Sequence, residues 1–287
     1  MHNDTQAWIA ACLKRQNVDL LQATNQSGGS GCEVWDCRAL LDGVVQRYVL
    51  KVYQPGFDDY AKLGPIKTAR KHILALKELP AFSICTPRLA GSAFKPHQAA
   101  VLTHKILRQA WNSATRIQAA RSLGQLHNVQ PRDLSDEFGA LVKGSTPNRQ
   151  RVFIGVQNFC SRLDQKAPTW KAERQDLYAQ AQELLASHEP RSDVTTLVHG
   201  DYFSSNLLLE NDDLYVIDWD LLALGDPTWD LGFLTGADKD LEQKEIDAVI
   251  AAYGQLRPVD ADTLAWHQQC WRLFWELRET IQASFLT

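Results

Sequence analysis

LVHGDYFSSNLLLENDDLYVIDWDLLALGDPTWDLGFL, residues Leu197 to Leu234, is the stretch whose reading decides the fold. Two short apolar runs, Leu207 to Leu209 and Leu214 to Ile217, flank Glu210-Asn211-Asp212-Asp213. Apolar runs of strand length around a turn rich in Asn and Asp predict an antiparallel hairpin. Polar residues gather at its outer ends: Asp201 and Asn206 before the first strand, Asp218 just after the second. A hairpin closes its outer ends on each other, so Asn206 and Asp218 are expected side by side. Two oxygen donors so placed suit a hard cation such as Mg²⁺, which takes few protein ligands and keeps waters and phosphate oxygens. Asp201, five residues before Asn206, is expected to face the same space. The plainer reading makes these acids turn and cap residues of an ordinary hairpin. Turn chemistry, however, does not call for Asp, Asn and Asp at these separations.

Moving outward, the stretch is an ordered series: His199-Gly200-Asp201, four residues, Asn206, an apolar hairpin ending in Ile217-Asp218-Trp219, then Gly225-Asp226-Pro227 and Asp230. This series resembles the catalytic core of the aminoglycoside phosphotransferase and choline kinase-like family of small-molecule kinases. The resemblance implies an α+β, two-lobed, protein-kinase-like fold. A small N-terminal antiparallel sheet lobe, residues 1–106, would bind nucleotide, and a larger, mainly helical C-terminal lobe, residues 107–287, would carry catalysis and the acceptor. It implies that Asp201 assists the acceptor hydroxyl, that Asn206 and Asp218 hold Mg²⁺, and that ATP or GTP is the phosphoryl donor.

Composition is compatible with this. The 287 residues are 45% hydrophobic and 22% charged, the balance of a soluble globular protein with room for two domains. No apolar run approaches the roughly 20 residues that span a bilayer. The opening MHNDTQAWIAACLKRQ lacks a basic segment followed by an apolar core, so no signal peptide is expected. Cys12, Cys32, Cys37, Cys85, Cys160 and Cys270 are scattered and without metal-type spacing, as in a reducing cytoplasm. Nothing resembles a nucleic-acid module, and a monomer or weak dimer is expected. The net charge of −4 is unevenly spread. Residues 1–106 hold 13 Lys and Arg against 8 Asp and Glu, a net +5, and residues 107–287 hold 17 against 26, a net −9. A basic first part suits nucleotide phosphates and an acidic second part suits a cationic acceptor; chance distribution of surface charge is the competing account.

In the first part, residues 5–17 predict a short helix. The cluster Gly28-Gly29-Ser30-Gly31 precedes a strand-like run, Cys32 to Leu41. Its backbone N–H groups suit close approach to phosphates, although most such clusters are plain turns. Arg47 to Tyr53, RYVLKVY, predicts a strand with Val49, Lys51 and Tyr53 on one face. A lysine so placed is often a solvated edge residue, but in the resembling family the lysine here pairs with the α and β phosphates. Residues 59–79 predict a helix, with Pro65 near its start. The family usually carries a glutamate there that pairs with the strand lysine, and this sequence has His72 at that place. Asp58, Asp59 or Glu78 is then the substitute acid, or Lys51 is held by phosphate alone. Pro80 to Gly91 predicts a loop leading to a short strand. Ala99 to Leu107 predicts the strand at whose end the resemblance places adenine, against the backbone of His104 and Ile106.

In the second part, Ser113 to Asn128 predicts an amphipathic helix ending in a packing histidine, His127. Residues 129–150, with Pro131, Gly139, Gly144 and Pro147, predict an irregular insert. Helical patterns return at 151–163, 170–187, 242–254 and 260–285. The last joins Trp266, Trp271, Phe274 and Trp275 to Glu276 and Glu279. Aromatics at helical spacing are usually core; the sharper reading is an acceptor wall formed by Trp271, Trp275, Glu276 and Glu279, with Asp220 beside it.

Together these point to transfer of a γ-phosphoryl group from ATP or GTP to a hydroxyl of a small, cationic molecule, an aminoglycoside-like antibiotic or an amino alcohol, with antibiotic resistance as one outcome. Two alternatives remain: a kinase of a neutral sugar or other metabolite, and a nucleotide-binding regulator without catalysis. A protein kinase is disfavoured, because only Trp219 to Leu224 separate Asp218 from Gly225-Asp226-Pro227, too few for a peptide-docking segment.

Overall fold

The structure is a computed structural model, and it describes residues 3–26, 32–55, 63–107, 109, 111–145, 148–187 and 195–284. In chain order the elements are α1 (Asn3–Lys14), β1 (Val18–Gln26), β2 (Glu33–Leu41), β3 (Val44–Tyr53), α2 (Pro65–Glu78), β4 (Leu89–Lys95) and β5 (Gln98–His104). Then follow α3 (Ser113–Asn128), α4 (Asp136–Lys143), α5 (Asn148–Lys166), α6 (Trp170–Glu173), α7 (Gln175–Ala186) and β6 (Thr196–Val198). The chain ends with β7 (Leu207–Glu210), β8 (Asp213–Val216), β9 (Ala223–Gly225), α8 (Thr228–Gly236), α9 (Gln243–Gly254) and α10 (Ala261–Ser284). The fold is α+β, with an antiparallel sheet unit and a helical unit.

Two compact units emerge. The first comprises Met1–Trp111, Pro131–Ser145 and Ser205–Leu222; the second comprises Asn112–Gln130, Thr146–Ser204 and Ala223–Thr287. The first unit thus takes in two segments from beyond residue 106.

The first unit is built on a five-stranded sheet in the order β1-β2-β3-β5-β4, all neighbours antiparallel. Strand period 2 sorts the side chains. Trp35, Cys37 and Ala39 of β2 and Tyr48, Leu50 and Val52 of β3 point to one face and pack with Ile9 and Leu13 of α1. Full burial of such an aliphatic side chain contributes about 1.5–3 kcal/mol. Val49 and Lys51 lie on the other face, toward α2. The two-residue turn between β2 and β3 is Asp42-Gly43, at φ 51° and 80°, the left-handed pair that a twisted hairpin needs.

Helix α2 begins at Pro65, where a missing N–H costs nothing. Its buried face includes three polar residues, Thr68, Lys71 and His72, among Ala69, Ile73, Ala75 and Leu76. The expected irregular insert at 129–150 is corrected by α4. Ser135 caps it by accepting from Phe138 N at 3.3 Å, and Asp136 and Glu137 complement its first turn. Gly and Pro at its flanks masked this start signal. Helix α4 packs on α2 within the first unit, where Glu78 accepts from Ser135 at 2.6 and 2.9 Å. The segment 170–187, expected as one helix, divides at Arg174 into α6 and α7.

The second unit centres on α8, whose every residue is buried, against α10. Around them Val152 and Val156 of α5, Trp170, Leu177 and Leu184 complete a core. No helix among the described residues is long and apolar enough to cross a membrane.

Candidate active site

In the first unit the hairpin β7–β8 forms as expected. Leu207 pairs with Val216 and Glu210 with Asp213, leaving Asn211 and Asp212 as the turn at φ 51° and 68°. Asn and Asp are the side-chain-bearing residues that best tolerate this conformation. Just outside the ladder, Ile217 N donates to Asn206 O at 2.9 Å, which closes the hairpin at Asn206 and at the residue before Asp218. Asp218 itself is left-handed, φ 65°, and the chain then enters a single 3-10 turn, Trp219–Leu221, with Trp219 fully buried. This turn aims Asp218 and Asp220 at the same lysine. Lys51 Nζ lies 2.6 Å from Asp218 Oδ1 and 3.1 Å from Asp220 Oδ2. Beneath it, fully buried Lys71 donates to Leu222 O at 2.7 Å and to Ser145 Oγ at 2.8 Å, tying the end of the turn to α2.

Asp220, expected at the acceptor wall, is instead enclosed in the first unit. Tyr53 Oη donates to its Oδ1 at 2.7 Å, and His72 Nδ1 is 2.9 Å from the same oxygen. Burial opposes its ionisation, but Lys51 and the His72 and Tyr53 donors outweigh this and hold its pKa well below the usual carboxylate range. Burial likewise opposes the charge of Lys51, and Asp218 followed by Asp220 reverse that, holding its pKa above the ordinary lysine value. Both groups are therefore charged at neutral pH. Burial pushes the neighbouring Cys32 thiol up to about 12 despite the pull of Lys51. Of the acids considered as substitutes for the helix glutamate, Glu78 is engaged with Ser135, and Asp58 and Asp59 lie outside the described residues.

Beside Lys51 a cavity of about 180 Å³ opens within this unit. Val49, Val101, Ile106, Leu208 and Ile217 make its apolar walls, and Lys51 and Asp218 its charged end. His104 and Lys105 also line it. The His104 ring packs on Tyr48 at 4.9 Å, and burial depresses its pKa. At this strand end His104 N donates to Arg88 O and Lys105 N to Arg47 O, at 2.9 and 3.0 Å. Lys105 is further held by Asp36 at 2.5 Å. The glycine-rich segment Gly28, Gly29, Ser30 and Gly31 lies outside the described residues.

In the second unit Asp201 follows β6. Asp201 N donates to His199 Nδ1 at 3.2 Å and Phe203 N to Asp201 O at 2.9 Å, which folds the chain sharply here. The preceding His199-Gly200 backbone is clamped by Asp230, which accepts from His199 N at 2.6 Å and Gly200 N at 2.9 Å, with His127 Nε2 at 3.3 Å. Asp226 accepts from Thr228 N and Oγ1 at 2.8 and 2.7 Å and so fixes the chain where it enters α8. The roles of Asp226 and Asp230 were not legible from their spacing.

The aromatic face of α10 divides. Trp271 is core: 6% exposed, its indole donating to Trp229 O at 3.0 Å, and stacked on Phe233 at 3.9 Å. Trp275 is half-buried, stacks on Phe203, and carries the Arg278 guanidinium over its ring at 4.4 Å. Glu276 lies 3.9 Å from Arg174 and Glu279 3.0 Å from Lys239.

A profile of the phosphotransferase enzyme family matches residues 38–267. Sequence comparison with curated proteins finds no match. Among solved structures, the fold is similar to that of a macrolide 2′-phosphotransferase from Brachybacterium faecium, with 17% identity, 96% of each chain covered and a TM-score of 0.60. It is also similar to a spectinomycin phosphotransferase solved with ADP and spectinomycin, with 16% identity over 96% of this chain and 85% of that one, TM-score 0.63. A putative fructosamine-3-kinase from Haemophilus somnus shares 14% identity over 99% of this chain and 95% of that one, TM-score 0.58. The family match spans most of the chain and includes β3 with Lys51 and the whole stretch from Leu197 to Leu234, so the chain belongs to the phosphotransferase enzyme family and is a phosphotransferase.

Proposed function

We propose that this phosphotransferase moves the γ-phosphoryl group of ATP or GTP to a hydroxyl of a small molecule, and that the acceptor is cationic, an aminoglycoside-like compound or an amino alcohol. The observation that carries the donor side is the cavity of the first unit, apolar along its walls and ended by the Lys51–Asp218 pair. A planar base suits the apolar walls, with the backbone of His104 to Ile106 as its hydrogen-bonding edge. Polyphosphate suits the lysine and the basic residues 1–106, including the segment at Gly28 to Gly31. Residues 1–106 are then the main nucleotide-binding part, with Leu208, Ile217 and Asp218 completing the cavity, and the rest of residues 107–287 is the catalytic and acceptor-binding part.

Asn206 and Asp218 fit Mg²⁺: they are oxygen donors at the joined ends of one hairpin, and the Asp218 side chain is 36% exposed and lines the cavity. When bound, the ion neutralises charge on the transferred group. Lys51 holds the α and β phosphates in register. Asp201 orients the acceptor hydroxyl and receives its proton late, as the acceptor oxygen bonds to the γ-phosphorus and the bond to the β–γ bridging oxygen breaks. The transition state is loose, so these residues act mainly by positioning and electrostatics.

Solved relatives named for macrolide, spectinomycin and fructosamine phosphorylation support a small polar alcohol as acceptor. The charge of −9 on residues 107–287 supports a cationic one. A second reading, a neutral acceptor, is favoured by Arg278 on the Trp275 face and by the basic neighbours of Glu276 and Glu279. The test is labelled-phosphate transfer from ATP and GTP to a panel of amine and neutral alcohols, by the wild type, Asp201→Ala and Asp218→Asn. We expect Mg²⁺-dependent transfer to one class, reduced about 10²–10⁴-fold in Asp201→Ala and abolished in a folded Asp218→Asn. Wild-type turnover in either variant overturns the assignment.

A further inference from the structure

We infer that Asp220, held by Tyr53 and His72, is the positioning residue that fixes Lys51 against nucleotide phosphate, in place of an acid on α2. This rests on the proposed role of Lys51 toward nucleotide.

The two carboxylates on Lys51 are not equivalent. Asp218 lines the cavity and its side chain is 36% exposed, so it is placed to exchange the lysine for a ligand. Asp220 is 13% exposed and both of its oxygens already face protein donors: Oδ1 meets Tyr53 at 2.7 Å and His72 at 2.9 Å, and Oδ2 meets Lys51 at 3.1 Å. The donor pattern is self-consistent. Tyr53 has one hydroxyl proton and gives it to Asp220, so the 2.8 Å contact between Tyr53 Oη and His72 Nδ1 requires Nδ1–H as donor. That same N–H faces Asp220. The three residues come from different elements, Tyr53 from β3 two residues beyond Lys51, His72 from α2, and Asp220 from the turn after β8. Asp220 is thus a counter-ion anchored to the strand and the helix together. It keeps a charge beside Lys51 when Asp218 is drawn to another partner. A carboxylate whose remaining lone pairs are satisfied by hydrogen-bond donors holds its orientation beside the lysine.

The test is a double-mutant cycle on ADP affinity, measured by calorimetry on the full chain with Mg²⁺ and again with EDTA, so that it reads no turnover. Lys51→Ala and Asp220→Asn should each weaken ADP about tenfold or more, the scale of a lost charge-assisted hydrogen bond. Tyr53→Phe should weaken it about threefold, and the effect of Asp220→Asn or Tyr53→Phe should fall below about twofold in the Lys51→Ala background. Additive losses in that background, or unchanged affinity in folded Asp220→Asn, overturn the inference while leaving Lys51 a nucleotide ligand. Unchanged affinity in Lys51→Ala overturns the nucleotide reading of the cavity and the inference with it. If Asp220→Asn does not fold, the Tyr53→Phe cycle decides by the same criterion, since it removes one hydroxyl and keeps the ring.

Discussion

Asp230 shows how a residue outside the chemistry holds a chemical residue in place. Buried to 1% exposure, it accepts from the backbone of His199 and Gly200, just ahead of Asp201, and faces His127 of α3. Burial opposes its charge; the His127 contact, followed by His199 and the Gly200 N–H, outweighs it and depresses its pKa. The sign of the linkage follows. A carboxylate depressed in the folded state contributes stability above its unfolded pKa of about 3.9, and loses it as pH falls through the folded value. We predict that Asp230→Asn costs about 2–3 kcal/mol at pH 7, where donors lose a charged acceptor, and that the gap to wild type narrows as pH falls below 4. Urea midpoints from pH 7 to pH 3 measure this, and equal midpoints at pH 7 contradict it. Turnover should fall with the clamp, because Asp201 is only one residue beyond it.

At the scale of elements, the close approach of α8 to α10 depends on two glycines. A Cβ on Gly236 would sit 2.7 Å from Gln268 Cα and O, and one on Gly232 would sit 2.8 Å from His267 Cβ. Backbone cannot give way as a flexible side chain does, so overpacking should separate the helices. We predict that Gly236→Ala costs about 1–3 kcal/mol and lowers Tm by about 2–4 °C per kcal/mol. Gly254→Ala, at the end of α9 with open space around it, should be neutral or stabilising by up to about 1 kcal/mol. Thermal unfolding of the pair separates close approach from a general effect of adding a methyl group; a Gly236→Ala protein as stable as wild type would show that α10 yields.

For the whole molecule, the division of charge is the property with a functional consequence. Residues 107–287 carry a net −9 and residues 1–106 a net +5. If the acidic part receives the acceptor, each desolvated carboxylate–ammonium contact contributes about 1.5–3 kcal/mol, and an ammonium over an aromatic face a further 0.5–2 kcal/mol. We predict that amine acceptors are turned over with a KM that rises with salt, and that matched neutral alcohols are poorer substrates. Kinetics of matched pairs at low and high ionic strength measure this. Equal or better turnover of the neutral set, without salt dependence, selects the neutral-acceptor reading.

The hairpin β7–β8, its Asn211-Asp212 turn and the β3 strand bearing Lys51 were legible in the residues alone, because strand period and left-handed turn chemistry act over a few residues. So was the closure of the hairpin at Asn206 and Ile217, since a hairpin closes its own ends. Helix α4 was in principle legible from Ser135-Asp136-Glu137, but surrounding Gly and Pro argued more loudly for a loop. The partition of α10, with Trp271 in the core and Trp275 half-open, needed the packed neighbours, because 3.6-residue periodicity places residues on a face without saying what covers it. The partner of Lys51 needed the tertiary structure most. Tyr53 and Asp220 are 167 positions apart and His72 and Asp220 are 148 apart. No local preference relates them, and only the packing of β3, α2 and the turn after β8 into one unit sets a single carboxylate among three donors.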